Sequence, residues 1–80
     1  MKLSIYSLKK ILFQGEAKSL NCQTVMGEIT VLDNHQTLIT VLASGVVKII
    51  DNKEKESFFP IISGFLEVRE NNEVRCIVEE

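Results

Sequence analysis

The stretch Phe65-Leu66-Glu67-Val68-Arg69-Glu70-Asn71-Asn72-Glu73-Val74-Arg75-Cys76-Ile77-Val78 decides the fold. Two short apolar-rich segments flank a pair of asparagines, and Asn tolerates the left-handed backbone that a tight hairpin turn requires. Phe65–Arg69 and Val74–Val78 are therefore read as antiparallel partners. The same pattern occurs just upstream, where Val46–Ile50 and Ser57–Ile62 flank Asp51-Asn52-Lys53-Glu54, a second hairpin with a solvated tip.

Working outward, the remaining apolar segments are Lys2–Ser7, Phe13–Thr24, Glu28–Leu32 and Thr37–Leu42, separated by turn signals at Met26-Gly27, Asp33-Asn34 and Ser44-Gly45. Val, Ile and Thr supply 21 residues and Ala only two, a bias that suits a pleated surface and disfavours helix. The reading is all-β: an antiparallel β-sandwich of about eight to ten short strands in two sheets, forming a single domain over residues 1–80. Phe13, Val31, Leu38, Val47, Phe65 and Val68 are expected in or beside its core. Gly15, inside the longest segment, marks a bulge, a bend or a close backbone approach, so that strand is expected to change sheets. Gly27, Gly45 and Gly64 are assigned to turns. Pro60 lacks a backbone donor and belongs at an edge, a bulge or a strand end.

Several function classes fall away on chemistry. Eighty residues fit one compact core, because a chain this short buries only about 60% of its unfolded surface. No apolar run approaches the 18 or so residues of a spanning helix, and the start carries neither a long apolar stretch nor a small-residue cleavage site, so a cytoplasmic location is expected. The nine basic residues are scattered and the net charge is -2, which argues against nucleic acid as a partner. Cys22 and Cys76 match no CxxC spacing and are read as small buried apolar residues. His35, the only histidine, follows Asp33-Asn34 and has no nucleophile at a triad spacing, so it is read as a turn residue making local hydrogen bonds. Glu28 and Glu67 are carboxylates within apolar segments and are read as solvent-facing. No Gly-rich phosphate loop is present. Catalytic, cofactor and metal residues are accordingly assigned to none, and no small-molecule ligand is expected.

Lys53 at the second hairpin tip raises a rival. It resembles the modified lysine of lipoyl and biotinyl carrier domains, but its neighbours Asp51-Asn52-Lys53-Glu54-Lys55-Glu56 form an alternating charge cluster unlike the small or Met-flanked carrier motif. A solvated hairpin end is the preferred reading of Lys53. A generic ligand-binding sandwich is a further alternative.

A series of separated motifs then narrows the reading. Leu12-Phe13-Gln14-Gly15-Glu16-Ala17, Gly27-Glu28-Ile29-Thr30-Val31-Leu32, His35, Leu38-Ile39-Thr40, Gly45-Val46-Val47-Lys48-Ile49 and Ser63-Gly64-Phe65-Leu66-Glu67-Val68 follow one another in an order and spacing that resemble the epsilon subunit of bacterial F-type ATP synthases. The resemblance covers nearly the whole chain. It implies the family's N-terminal β-sandwich, a non-catalytic rotor part that couples the gamma subunit to the c ring, peripheral to the cytoplasmic face of the inner membrane. It also implies contact residues: Val25, Met26, Gly27 and Glu28 toward the c ring, and His35 toward gamma. Two loops depart from the family pattern. Asp33-Asn34 and Gln36-Thr37 replace the residues usual around the histidine, and Ser7-Leu8-Lys9 replaces the usual Pro-Glu near the start. The family usually continues into a two-helix C-terminal domain that carries nucleotide sensing and rotation inhibition. The chain stops at Glu80, so neither activity is expected of it, and the Met1 start favours a naturally short protein.

Overall fold

In the deciding hairpin, Leu66, Val68, Val74, Cys76 and Val78 are buried while Phe65, Arg69, Arg75 and Ile77 are exposed. That strict alternation is the period-two signature of strands with one face against a core. Two consecutive left-handed residues, Asn71 (φ 66°) and Asn72 (φ 60°), close the turn, as expected from the asparagine pair. A computed structural model describing residues 1–80 shows eight strands and no helix: β1 (Lys2–Tyr6), β2 (Ile11–Thr24), β3 (Gly27–Leu32), β4 (Leu38–Leu42), β5 (Gly45–Asp51), β6 (Glu56–Ile61), β7 (Ser63–Arg69) and β8 (Glu73–Glu79). Each matches a segment read from the sequence to within two residues.

The strands form two layers that share one hydrogen-bonded path. β1, β8, β7 and β4 are neighbours in one layer, and β3, the second half of β2, β5 and β6 in the other. The path closes on itself because the first half of β2 pairs with β1 while Thr24, at its far end, meets Leu42 of β4. One pairing departs from the antiparallel rule: β1 runs parallel to β8. These are the first and last strands, with no hairpin between them to impose opposite directions.

Long β2 serves both layers by changing the face it buries. Ala17 points inward, and so do Leu20, Cys22 and Thr24, which have the opposite parity. The register with β5 slips between Ala17 and Ser19, and an extra residue in one strand is what exchanges its faces. The switch thus lies beyond Gly15, which sits in regular pairing with Leu3 and would have no atom within 4 Å of an added Cβ.

Sixteen buried apolar residues drawn from both layers form one core, among them Leu3, Ile5, Leu20, Val31, Ile49 and Leu66. Val31, Val47 and Val68 occupy it as expected, and Phe13 and Leu38 pack against it half-buried. Phe65 does not: it is 58% exposed. Phe65 and Leu66 are adjacent and only one can face inward, and the ladder pairs Leu66 with Cys76 and Val68 with Val74, which fixes the choice. Both cysteines are free and buried, and burial pushes their thiols up to about 11 for Cys22 and about 12 for Cys76, so neither is nucleophilic at neutral pH. Pro60 lies exposed on β6, an edge strand, where a missing donor costs no ladder bond on the open side. Gly64 is not in a turn. It is the second residue of β7, where an added Cβ would stand 2.5 Å from the Ile77 carbonyl and 3.0 Å from Val78 Cα.

Two substitutions check this packing by chemical denaturation. Leu66→Ala is expected to cost about 2–5 kcal/mol, because it empties a fully buried site, whereas Phe65→Ala next to it stays within about 0.5 kcal/mol. Gly64→Ala is expected to cost about 1–3 kcal/mol by forcing β7 and β8 apart.

Candidate interaction surfaces

The β2–β3 hairpin turns through only two residues, Val25 and Met26, between the paired Thr24 and Gly27. The buried Thr24 hydroxyl holds this tip from within, donating to the Gly27 carbonyl at 2.7 Å and accepting from the Met26 amide at 3.1 Å. The positive φ of the turn falls on Gly27, at 120°, where a side chain would be strained. With the polar groups satisfied beneath, Val25 (62%) and Met26 (89%) are presented to solvent, beside exposed Glu28.

This apolar tip continues into a larger surface that the sequence reading did not single out. The Val25 amide donates to the Val41 carbonyl at 3.0 Å, placing the tip against the end of β4. From Val41 the register runs sideways through Phe65, Ile77, Tyr6 and Ile11, one residue on each of five strand segments, all on the outer face. Val41, Phe65, Ile77 and Ile11 are each 43–58% exposed. The adjoining row is polar except at one end: Ile39, Glu67, Arg75, Ser4 and Gln14. A signal for this belt exists in the chain. Ile39 and Val41 alternate with Leu38 and Leu42, and Phe65 abuts Leu66, so the strands are apolar on both faces, which a half-solvated antiparallel layer does not need. The outer face of the other layer is mixed, carrying Ser19, Asn21, Thr30, Lys48 and Glu56 among Leu32, Ile50 and Phe58. There Asn21 donates to Thr30 at 2.8 Å and Lys48 pairs with Glu56 at 3.1 Å.

His35 lies at the other end of β3, and six residues at about 3.3 Å each separate it from the tip by roughly 20 Å. The structure does not bring His35 and Glu28 together. The imidazole is exposed and its Nδ1 lies 2.8 Å from the Gln36 carbonyl, while its amide donates to the Leu32 carbonyl at 3.2 Å, the local bonding expected of a turn residue. Asp33, two residues earlier, is anchored by the Met1 ammonium and by the Asn72 side-chain amide at 3.2 Å, and the Asn34 amide donates to Asn72 Oδ1 at 2.7 Å. Lys53 is an exposed turn residue whose amide, like that of Lys55, donates to Asp51 Oδ1. No three His, Cys, Asp or Glu side chains lie close enough together to hold a metal ion.

All 80 residues match the model of the β-sandwich domain of the ATP synthase delta/epsilon chain. The chain belongs to that family. It is 39% identical over 67 residues to the ATP synthase epsilon chain of Clostridium novyi, covering 84% of this chain and 51% of the relative. It is likewise 39% identical over 69 residues to that of Hydrogenovibrio crunogenus, covering 86% and 47%. The chain thus spans about half the length of the curated relatives it matches. Its fold superposes on all of its length with a chain of the Euglena gracilis mitochondrial ATP synthase (OSCP/F1/c-ring) at a TM-score of 0.93 and 22% identity, covering 51% of that chain. A chain from the central stalk and c-ring of the Tetrahymena thermophila enzyme superposes at 0.84 and 16% identity, with 63% of it covered. Membership in the epsilon-chain family displaces the carrier-domain reading of Lys53.

The anchoring of the His35 turn is sensitive to acid. Hydrogen bonds from the Met1 ammonium and Asn72, with the ammonium's charge, hold the Asp33 carboxyl below its ordinary value of 3.8. A folded value below the unfolded one means that the contribution is complete above about pH 4 and is lost as pH falls through the folded value. Asp33→Asn should therefore flatten the decline of melting temperature between about pH 4 and pH 2, measured against the parent chain.

Proposed function

We propose that this chain is the β-sandwich of a non-catalytic central-stalk subunit of an F-type ATP synthase, coupling the gamma subunit to the c ring. The observation that carries the reading is the continuous exposed apolar surface from Val25 and Met26 through Val41, Phe65 and Ile77. Contiguous apolar surface of this kind on a folded domain marks a place where another protein packs. Family membership supports the choice of assembly. So do the names of the relatives, each an ATP synthase epsilon chain, and the structures its fold matches, which include a central stalk with its c-ring.

In this reading Val25, Met26, Gly27 and Glu28 meet the c ring, and His35 lies toward gamma. Two partners then engage opposite ends of β3, which suits a part whose task is to hold two larger bodies in register. The domain supplies shape and contact, and the chemistry belongs to other subunits. Its place is peripheral, at the cytoplasmic face of the membrane, held there through the complex.

Co-purification from native membranes tests the proposal, with gamma and c subunits expected among the captured proteins. Their absence under conditions that preserve the intact synthase would overturn it. Glu28→Lys and Phe65→Asp should each weaken co-purification and coupled ATP synthesis, the first leaving the isolated domain's stability within about 0.5 kcal/mol and the second costing it about 1–2 kcal/mol through its strand pairs with Val41 and Ile77. Unchanged assembly in Glu28→Lys with the fold intact removes that residue from the interface.

A further inference from the structure

The layer of β3, β2, β5 and β6 ends in two edge strands, and the two are not alike. On β2 the Gln23 carbonyl accepts from the Ala43 amide at 2.9 Å, and the Val25 amide donates to the Val41 carbonyl at 3.0 Å. Gln23 and Val25 therefore turn their main-chain groups toward β4, and Leu20, Cys22 and Thr24 turn theirs toward β3, where they meet Val31, Ile29 and Gly27. The amides and carbonyls of Glu28 and Thr30 consequently point away from the layer. So does the Leu32 amide, while the Leu32 carbonyl is taken by the His35 amide. On the opposite side the Asp51 amide donates to the Lys55 carbonyl at 3.0 Å, so Ser57, Phe59 and Ile61 bond to β5, and Glu56, Phe58 and Pro60 point outward. Pro60 has no N–H, which interrupts that edge for any added strand. Edge β3 carries no such guard. It holds neither Pro nor Lys, its register with β2 is unbroken, and Ile29, Thr30 and Val31 are β-branched.

The side chains specify the occupant. Ile29 packs half-buried at the rim of the core, and Glu28 and Thr30 lie exposed on the outer face. Glu28 forms no ion pair. An added strand sets one side chain directly beside Glu28 and another beside Ile29. β3 itself contains no Lys or Arg, so no register of a second copy's β3 brings a cation to Glu28, and the two-fold register centred on Glu28 opposes two carboxylates. We propose that β3 is a strand-addition site whose occupant is an extended segment of a different protein, with Lys or Arg beside Glu28 and an apolar residue beside Ile29. The inference rests on the rotor assembly proposed above, and it gives the partner at the Val25–Glu28 tip a main-chain mode of attachment.

Affinity-tagged parent, Thr30→Ala and Thr30→Pro chains are each used to capture the synthase from native membranes. Both variants lose the hydrogen bond between Asn21 and the Thr30 hydroxyl, only Thr30→Pro removes the outward amide, and neither breaks a ladder bond to β2. Thr30→Pro is expected to capture gamma and c subunits about tenfold less well than Thr30→Ala. In the parent's captured complex the Glu28 and Thr30 amides should exchange with solvent about tenfold or more slowly than in the free chain, with the Phe58 amide on the blunted edge unchanged. Either equal capture by the two folded variants or a Thr30 amide that exchanges as fast in the complex as in the free chain overturns strand addition and leaves the assembly standing. Absence of gamma and c subunits from the parent's capture overturns both. A parent chain that sediments as a dimer, with Thr30→Pro monomeric, assigns the edge to a second copy and overturns the choice of occupant. If Thr30→Pro does not fold, amide exchange in the parent's complex decides alone.

Discussion

The register slip between Ala17 and Ser19 is the constraint on which the rest depends. A strand of fourteen residues is too long to lie in one layer of so small a domain, and without the slip its two halves would bury residues of one parity throughout. Ala17 would then share its inward face with Ser19, Asn21 and Gln23, and Leu20 and Cys22 would turn to solvent. With the slip, the first half joins β1 and the second joins β3 and β5, each with apolar residues inward. The closed hydrogen-bonded path and the single core of sixteen residues both follow from that one extra residue.

The exposed apolar surface also follows from how the layers close. Closure brings the end of β4 against the β2–β3 tip, so the exposed Val25 and Met26 become continuous with residues on four other strands. The polar network of Asp33, Asn34 and Asn72 lies instead beside the amino terminus, at the far end of β3. A domain of this size is thereby given two chemically different ends, one apolar and one built of charge and hydrogen bonds.

Much of the fold was legible because its signals are local. Asn71-Asn72 announced a turn, Pro60 announced an edge, a bulge or a strand end, and apolar segments between turn signals located the strands. What was not legible depends on contacts between remote segments. Nothing within Phe65-Leu66 says which of the two faces the core, because the choice is made by Cys76 and Val74 across the ladder. Gly15 attracted attention as the odd residue of its strand, yet the slip occurs nearby among ordinary residues, in the pairing with β5. Ser63-Gly64 has the composition of a turn, but the absence of a Cβ there serves close passage beside Ile77 and Val78. The exposure of Val25 to Glu28 and of His35 agrees with their reading as turn or solvent-facing residues. The belt from Val41 to Ile11 left only one trace, strands apolar on both faces, since its course exists only when five strand segments are laid side by side.

The parallel pairing of β1 with β8 has a mechanical consequence. The chain enters this ladder at one end of the domain and leaves at the other, so a pull between its two termini slides the strands along each other. All the hydrogen bonds of the pair then share the load together, whereas a hairpin pulled from its open ends gives way one bond at a time. The weakest direction of the domain is consequently not along the line joining its termini but across it, where the edge strands β3 and β6 can peel from β2 and β5.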